Sequence, residues 1–308
     1  MISYGRAICY SGYRANQGPG LKIYPSYEQV LEDLRLLEPH FDYLRMYDHH
    51  EHARTTLKVI RDHNLHLKVL LGVEPKGEIS NPDEQGRGFH SYGDIVRNKQ
   101  ENFSQLDEVA ALCNQYEDIV LAVSVGNEST AGWQRNLMDP LTIAEHVKYL
   151  KQKITKPVTF CEGAGEWVRK GTPIAAEVDF ISIHSYPLWY QVPFANAVAV
   201  TIKDYRKVVA AYPGKQVIFT EFGWTTTAND RMIAGDANEE NQKHYLETML
   251  AWSESEQVTM FVFEAFDEPW KGSGGDDHPE KHWGLIRENR TPKLYFSERN
   301  NQNKEKAI

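Results

Sequence analysis

Short runs of β-branched and aromatic residues alternate with longer amphipathic stretches along almost the whole chain. Parallel strands joined by helical crossovers produce such an alternation. The strand candidates are Ile2–Cys9, Tyr43–Tyr47, Leu65–Gly72, Ile119–Val125, Pro157–Cys161, Phe180–His184, Gln216–Thr220 and Val258–Phe263. Eight strands with crossovers in 308 residues predict an α/β fold, a single (β/α)8 TIM barrel.

Helix candidates with recognisable starts lie between these strands. Ser26–Gln29 and Thr142–Glu145 are typical of capping boxes, in which two side chains satisfy each other's backbone N–H groups. The other helix candidates are Glu51–His63, Gln100–Gln115, Ala195–Ala211 and Asn238–Glu256, with a weaker one between Trp167 and Glu177.

The chain has no Pro/Gly/Ser-rich linker and no internal repeat. We therefore expect residues 1–308 to form one domain, in which the polar tail Ser297–Ile308 is frayed. The longest loop candidate runs from Val73 to Lys99 and includes Pro82 and Gly86. Loops of that length in a compact domain are usually functional.

The charge of the chain argues against a nucleic-acid or membrane partner. Lys and Arg total 34 against 43 Asp and Glu, a formal net charge of −9, whereas binding to phosphates needs a basic surface. No run reaches the roughly 18 apolar residues that a membrane span requires. The start lacks the basic and apolar regions of a signal peptide. We expect a cytoplasmic protein or the mature form of a periplasmic or secreted one.

A doubly wound open sheet is the alternative fold. No Gly-x-Gly-x-x-Gly turn follows the first strand, so a dinucleotide site has no support. The cysteines Cys9, Cys113 and Cys161 fit no metal-finger or redox pattern and are expected to be buried free thiols. We expect a monomer with no metal and no other cofactor.

Two glutamates come directly after strand candidates. Glu128 follows the fourth and Glu221 the seventh, at the barrel end where TIM-barrel enzymes place their chemistry. Burying a carboxylate beside an apolar run costs desolvation free energy, so such a residue is usually paired with another group or takes part in function. Glycoside hydrolysis needs two carboxyl groups flanking the scissile bond, and strands four and seven lie across a barrel from each other. A salt bridge at the barrel rim is the alternative for either glutamate.

Six of the seven tryptophans fall in segments after predicted strands. They are Trp133, Trp167, Trp189, Trp224, Trp270 and Trp283. Large aromatic faces at a barrel mouth suit the stacking of sugar rings. Packing under a loop is the alternative for each ring, so the inference depends on their distribution.

Several motifs together resemble glycoside hydrolase family 17, within the clan of retaining glycosidases built on (β/α)8 barrels. They are Ile8–Arg14, Leu44–Asp48, Gly126–Glu128, Thr220–Trp224 and Phe263–Lys271. The resemblance runs from the first strand to Leu285 and implies a β-1,3-glucanase acting on laminarin-type β-glucan. Some members of that family are transglycosylases.

The resemblance also implies roles for individual residues. Glu128 takes the acid/base position and Glu221 the nucleophile position. Tyr47 matches an aromatic in the first glucose subsite, and Asn127 matches the asparagine that binds the sugar 2-hydroxyl. Glu268 and Lys271 match a Glu-x-x-Lys feature near the catalytic centre. We expect further substrate contacts from the aromatic residues Tyr186, Trp224, Trp270 and Trp283.

The implied mechanism is double displacement with net retention. Water completes the second step in hydrolysis, and a sugar hydroxyl completes it in transglycosylation. The mechanism needs carboxyls about 5–5.5 Å apart. We expect Lys271 to lie near Glu221 and keep that carboxylate ionised. Plant members have a small residue at Phe222 and a proline at Thr225, so the chain resembles a bacterial-type branch. Endo action is expected.

Two other function classes compete with this interpretation. A metal-dependent, amidohydrolase-like barrel is suggested by His49–His52 and by Asp276–His278. That pattern, however, requires a histidine at the end of strand five, where this chain has Cys161. A solvated start to the second helix is the simpler interpretation of the histidines. A non-catalytic glucan-binding barrel would have lost one carboxylate of the pair, and both are present.

Overall fold

Eight strands close into a barrel in chain order in the computed structural model of the protein, which describes residues 1–81, 88–272, 275 and 277–299. The strands are β1 (Arg6–Cys9), β2 (Tyr43–Arg45), β3 (Lys68–Gly72), β4 (Val120–Asn127), β5 (Val158–Gly163), β6 (Ile181–Ser185), β7 (Val217–Phe222) and β8 (Met260–Val262). β1 pairs with β8 and β4 with β5, both in parallel. The predicted (β/α)8 barrel is confirmed, and its closure excludes a doubly wound open sheet.

Helices connect the strands in the described chain. They are α1 (Tyr27–Leu37), α2 (Glu51–Asp62), α3 (Tyr92–Gln115), α4 (Pro140–Lys151), α5 (Ala164–Lys170), α6 (Thr172–Glu177), α7 (Phe194–Ala211) and α8 (Glu239–Glu256). Short 3₁₀ turns occupy Pro19–Leu21, Pro187–Tyr190, Ala234–Asp236 and Pro279–Lys281.

One of the two predicted capping boxes is present. Ser26 Oγ accepts a hydrogen bond from the Gln29 N–H, and the Gln29 side chain accepts one from the Ser26 N–H. The box predicted at Thr142 is wrong, because α4 begins at Pro140 with Asp139 as its N-cap. Proline is favoured at the first helical position, where its missing N–H costs nothing.

Two other helix predictions need correction. α3 begins at Tyr92, eight residues before the predicted Gln100, because Ser91 and Asp94 form a capping box. The loop after β3 is therefore shorter than predicted, and Pro82 and Gly86 within it lie outside the described residues. The weak helix predicted between Trp167 and Glu177 is two short helices, α5 and α6, separated at Gly171.

Contacts group the chain into two compact units. The first contains Met1–Ser3, Arg45–His184 and Asp204–Thr220. Its interior is apolar, with Leu70, Val123, Phe160 and Ile183 fully buried on β3 to β6.

The second unit contains Tyr4–Leu44, Ser185–Lys203 and Glu221–Ile308. In it, Ala7 of β1 is paired with Phe261 of β8. Phe222 and Phe266 of the same unit are also buried.

Other expectations concern the thiols, membranes and the tail. The three cysteines are free and buried, as predicted. Within the described ranges, every helix is too short or too polar to cross a lipid bilayer. The tail from residue 300 onward and Asp276 lie outside the described residues.

Candidate active site

Glu128 has an unusual backbone conformation. It directly follows β4 and has φ of 52°, in the left-handed region, which costs a residue with a side chain about 1–2 kcal/mol. Its N–H donates to the carbonyl of Cys161 at 2.8 Å, and its carbonyl accepts from the Ala131 N–H at 3.1 Å. Such outliers persist where surrounding structure fixes them, and they cluster at active sites.

The Glu128 carboxylate contacts a buried histidine. His184 Nδ1 lies 2.8 Å from Glu128 Oε1, and His184 Nε2 lies 3.4 Å from Arg45 Nη1. Arginine only donates hydrogen bonds, so this arrangement favours the tautomer in which Nε2 accepts and Nδ1 donates to Glu128. His184 therefore contacts both Glu128 and Arg45.

Arg45 contacts several residues of the first unit. Its guanidinium is buried, donates to the Thr220 carbonyl at 3.0 Å and also donates to Asn127 Oδ1. The same group lies 4.4 Å from the centre of the half-buried Tyr47 ring. The structure therefore brings the predicted Tyr47 and Asn127 together through Arg45, which the sequence patterns did not single out.

Glu162 holds the turn that follows Glu128. This buried carboxylate, one residue before the end of β5, accepts hydrogen bonds from the N–H and hydroxyl of Thr130, at 3.0 and 2.8 Å. A further bond comes from the Gly163 N–H at 2.7 Å. Burial, with the charge of Glu128 adding to it, raises the pKa of Glu162 to about 7. Glu162 acts on the turn through Thr130.

Glu221 lies in the second unit and accepts a hydrogen bond from a tyrosine. It is a buried residue of β7, and the Tyr186 hydroxyl donates to its Oε2 at 2.6 Å. The Tyr186 ring meets Trp283 edge-on at 5.1 Å and Phe263 at 5.8 Å between centroids. A hydrogen bond donated to a carboxylate favours its ionised form.

Lys271 is enclosed by acidic and aromatic side chains. It forms ion pairs with Glu268 and, at 2.9 Å, with Glu264 Oε2. Its ammonium also lies 4.3 Å from the centre of the Phe263 ring. The ion pairs of Lys271 are with Glu264 and Glu268, and the Tyr186 hydroxyl donates to Glu221, so the prediction that Lys271 lies near Glu221 and keeps it ionised stays a prediction.

The charges of this cluster follow from its burial. Burial, and then the charge of Glu268, raise the pKa of Glu264 well above its usual value. Burial alone would raise the pKa of Glu268, but the charge of Lys271 together with hydrogen bonds from Glu264, Lys271 and Ser11 outweighs it, and the pKa is lowered. Burial alone would lower the pKa of Lys271, but the two carboxyls outweigh it and raise that pKa. The two carboxyl groups thus share one cation, and their pKa values are shifted in opposite directions.

Two predicted sugar-contacting tryptophans lie in the interior. Trp224 is fully buried, with ring centroids of Phe194 and Tyr245 at 5.3 and 5.1 Å. Trp283 is also buried, and Phe263 and Tyr186 pack against it. Neither ring presents a free face to a sugar, so stacking by Trp224 and Trp283 is corrected to packing.

Two other tryptophans remain available for stacking. Trp270 is 37% exposed and donates from Nε1 to Glu268 Oε1 at 3.2 Å, with Tyr13 edge-on at 5.7 Å. Trp133, in the segment after β4, is 60% exposed. An exposed face held by a hydrogen bond and an aromatic neighbour is suited to a sugar ring.

Substituting Lys271 with methionine is expected to lower the free energy of unfolding by about 3–5 kcal/mol, because a buried carboxylate would lose its counter-ion. Urea denaturation followed by circular dichroism measures the loss. The matched control is Lys207→Met, whose Asp204 ion pair is on the exposed surface of α7 and contributes little. Equal unfolding free energies for the two variants would contradict this assignment.

Comparison with known proteins identifies the family. The family model of the BtgE/BtgC glycoside hydrolase domain matches residues 7–284. The chain belongs to this family. Membership makes it a glycoside hydrolase and favours that interpretation over the metal-dependent hydrolase and the non-catalytic barrel. His278, one of the candidate metal ligands, serves instead as a cap that accepts from the Glu280 N–H at 3.2 Å.

Curated relatives of this glycoside hydrolase are fungal. A glucan 1,3-beta-glucosidase of Arthroderma benhamiae is 28% identical over 236 residues, covering 69% of this chain and 73% of that protein. The probable beta-glucosidase btgE of Aspergillus clavatus is 27% identical over 58% of this chain. That match spans 32% of the Aspergillus protein, so this chain corresponds to about a third of its length.

Solved structures share the fold of this glycoside hydrolase. An endo-laminarinase from Formosa Hel1_33_131 superposes with a TM-score of 0.83 at 22% identity, covering 97% of this chain and 87% of that one. A Rhizomucor miehei beta-1,3-glucanosyltransferase mutant in complex with laminaritriose gives 0.73 at 21% identity, covering 94% and 96%. A second structure of a Rhizomucor miehei beta-1,3-glucanosyltransferase, also similar in fold, is of glycoside hydrolase family 17, the family that the motifs resemble.

Proposed function

We propose that this glycoside hydrolase cleaves β-1,3-glucan by double displacement, with Glu221 as nucleophile and Glu128 as acid/base. The observation that carries the proposal is the hydrogen bond from Tyr186 to Glu221, which favours the ionised carboxylate that a nucleophile needs. The Glu128 side chain is 20% exposed, so a leaving group and then water can reach it. Glu128 first protonates the leaving oxygen and afterwards deprotonates water.

The names of the similar proteins support the substrate class. They include a glucan 1,3-beta-glucosidase, an endo-laminarinase and a glucanosyltransferase with laminaritriose bound. We assign laminarin-type β-1,3-glucan to this chain, with internal cleavage. The alternative is transglycosylation at the same site, which the likeness to the Rhizomucor transferase favours.

Several finer assignments belong to the same proposal. The substrate contacts are Tyr47, Asn127 and Trp270, with Tyr186 beside the nucleophile. Phe222 is buried and the Thr225 hydroxyl donates to the Pro279 carbonyl at 3.0 Å, so both departures from plant members are built into the packing. The assignment to a bacterial-type branch depends on these two sequence departures alone. We further assign a single catalytic domain that acts as a monomer.

Proton NMR of the anomeric signals tests this function directly. During cleavage of a linear β-1,3-glucan, the β-anomer of the new reducing end is expected first, because two inversions give net retention. Glu221→Ala is the negative control, in which no product is expected. The α-anomer appearing first would overturn the mechanism, and no turnover would overturn the substrate. Product lengths distinguish internal cleavage, terminal cleavage and transfer, which alone yields chains longer than the substrate.

A further inference from the structure

A buried histidine lies outside the carboxylate site. His49, in the segment between β2 and α2, is fully buried. The solvated helix start predicted for this stretch is therefore wrong for His49. Within the described part of the chain, neither of its ring nitrogens has a hydrogen-bond partner. Buried polar groups are nearly always satisfied, and an exception calls for an explanation such as a bound ion.

Two further ligand-type side chains face this histidine. His49 Nε2 lies 3.6 Å from Glu108 Oε2 of α3, too far for a hydrogen bond. The His49 and His50 ring centroids are 4.4 Å apart. One ligand atom from each of the three residues lies within 4.8 Å of the others. Three metal-ligating side chains therefore lie close together, and the buried one has no hydrogen-bond partner within the described residues.

The spacing fits ligands that share a metal ion. Zinc is held at about 2.0–2.2 Å by imidazole nitrogen and carboxylate oxygen, so two ligands of a tetrahedral ion are about 3.4 Å apart. The His49–Glu108 separation of 3.6 Å is close to that value. Two imidazoles and one carboxylate leave a fourth position for water, a set that suits Zn²⁺ and not Mg²⁺ or Ca²⁺.

The surrounding charges also allow a cation. Asp48 and Glu108 face His49 with negative charge, and Arg54 faces it with positive charge. The carboxylate of Asp48 already accepts a hydrogen bond from the His50 N–H at 2.8 Å, which fixes the backbone that presents His50. The charges nearest the three donors are thus on balance acidic.

We propose that His49, His50 and Glu108 form a zinc site, contrary to the expectation from sequence of no metal. The ion would join the segment after β2 to α3, and it takes no part in the glycosidic chemistry proposed above. The segment it would hold includes Tyr47. The inference is independent of the proposed function, because its test measures metal binding without any glucan.

The test uses the full chain after chelator treatment and dialysis. Isothermal titration with Zn²⁺ is expected to give one site per chain with a micromolar or lower Kd, and Zn²⁺ is expected to raise the melting temperature. Co²⁺ in its place is expected to give the visible d–d bands of a four-coordinate ion. Absence of binding at 100 μM Zn²⁺ (about a hundredfold above a micromolar Kd) would overturn the proposal.

Variants assign the ligands. Glu108→Gln and His50→Gln alter exposed side chains and should fold. Each is expected to weaken Zn²⁺ binding at least about tenfold, because removing even a hydrogen-bond partner of a ligand costs that much. His66→Gln, which removes another exposed histidine, is expected to bind as the wild type does. His49→Gln, if it folds, should also lose the site. Zinc affinity unchanged in both Glu108→Gln and His50→Gln would contradict the assignment.

Discussion

Glu221→Ala is expected to lower kcat on laminarin by about 10⁴-fold or more, because no covalent glycosyl-enzyme can form without the nucleophile. The variant also leaves the Tyr186 hydroxyl without the acceptor that it contacts at 2.6 Å. Reducing-sugar release from purified protein measures the loss. Circular dichroism and the melting temperature establish that the variant is folded.

Azide makes this result specific for the nucleophile. In Glu221→Ala, azide can attack the anomeric carbon from the side that the carboxylate has vacated, and it should yield an α-glycosyl azide from an activated laminaribioside. The matched control, Glu145→Gln on the exposed side of α4, should retain wild-type turnover and give no azide product. A β-azide from Glu221→Ala would mean that the roles of the two glutamates are exchanged.

The barrel was predictable because its signal is repeated. Each strand is a short apolar run whose two faces are both covered, and eight such runs reinforce one another. Helix starts were less predictable because competing signals lie close together. Thr142 resembles an N-cap, but Asp139 followed by Pro140 begins α4 three residues earlier. Local sequence patterns predict the existence of a helix more reliably than they predict its first residue.

The carboxylates were predictable for a different reason. Their position at strand ends depends only on the barrel, and their motifs add the resemblance. Arg45 lies within the Leu44–Asp48 motif and His184 ends the sixth strand candidate, but the sequence assigned neither of them a role at Glu128. Their relation to Glu128 arises only when β2, β4 and β6 bring them within hydrogen-bond distance. No spacing in the chain encodes that convergence.

The aromatic and lysine predictions show the limit of position along the chain. A residue after a strand can face the barrel mouth or turn under a loop, and Trp224 turns inward to donate to the Asp236 carbonyl at 2.9 Å. Trp270 faces outward and is partly exposed. Lys271 is three residues from Glu268 and forms an ion pair with it, a contact that the sequence patterns did not predict.

Glu128→Gln should separate the two steps of the reaction. We expect about a 10²–10⁴-fold loss on laminarin, whose leaving group needs a proton. A dinitrophenyl laminaribioside needs no proton on departure, so its first step should proceed at close to the wild-type rate. Because glutamine cannot deprotonate water, the glycosyl-enzyme should accumulate and appear as a burst of dinitrophenol followed by slow turnover.

A second variant identifies the face of the sugar ring on which Glu128 acts. In Glu128→Ala, azide can replace water in the second step, attack the glycosyl-enzyme from the leaving-group face and give a β-glycosyl azide. Together with the α-azide from Glu221→Ala, this assigns the two carboxylates to opposite faces of the sugar, as double displacement requires. Equal losses on laminarin and on the dinitrophenyl substrate, with no burst, would show that Glu128 acts by fixing its strand end and not by moving a proton. Its left-handed backbone and its contact with His184 would then be structural features alone.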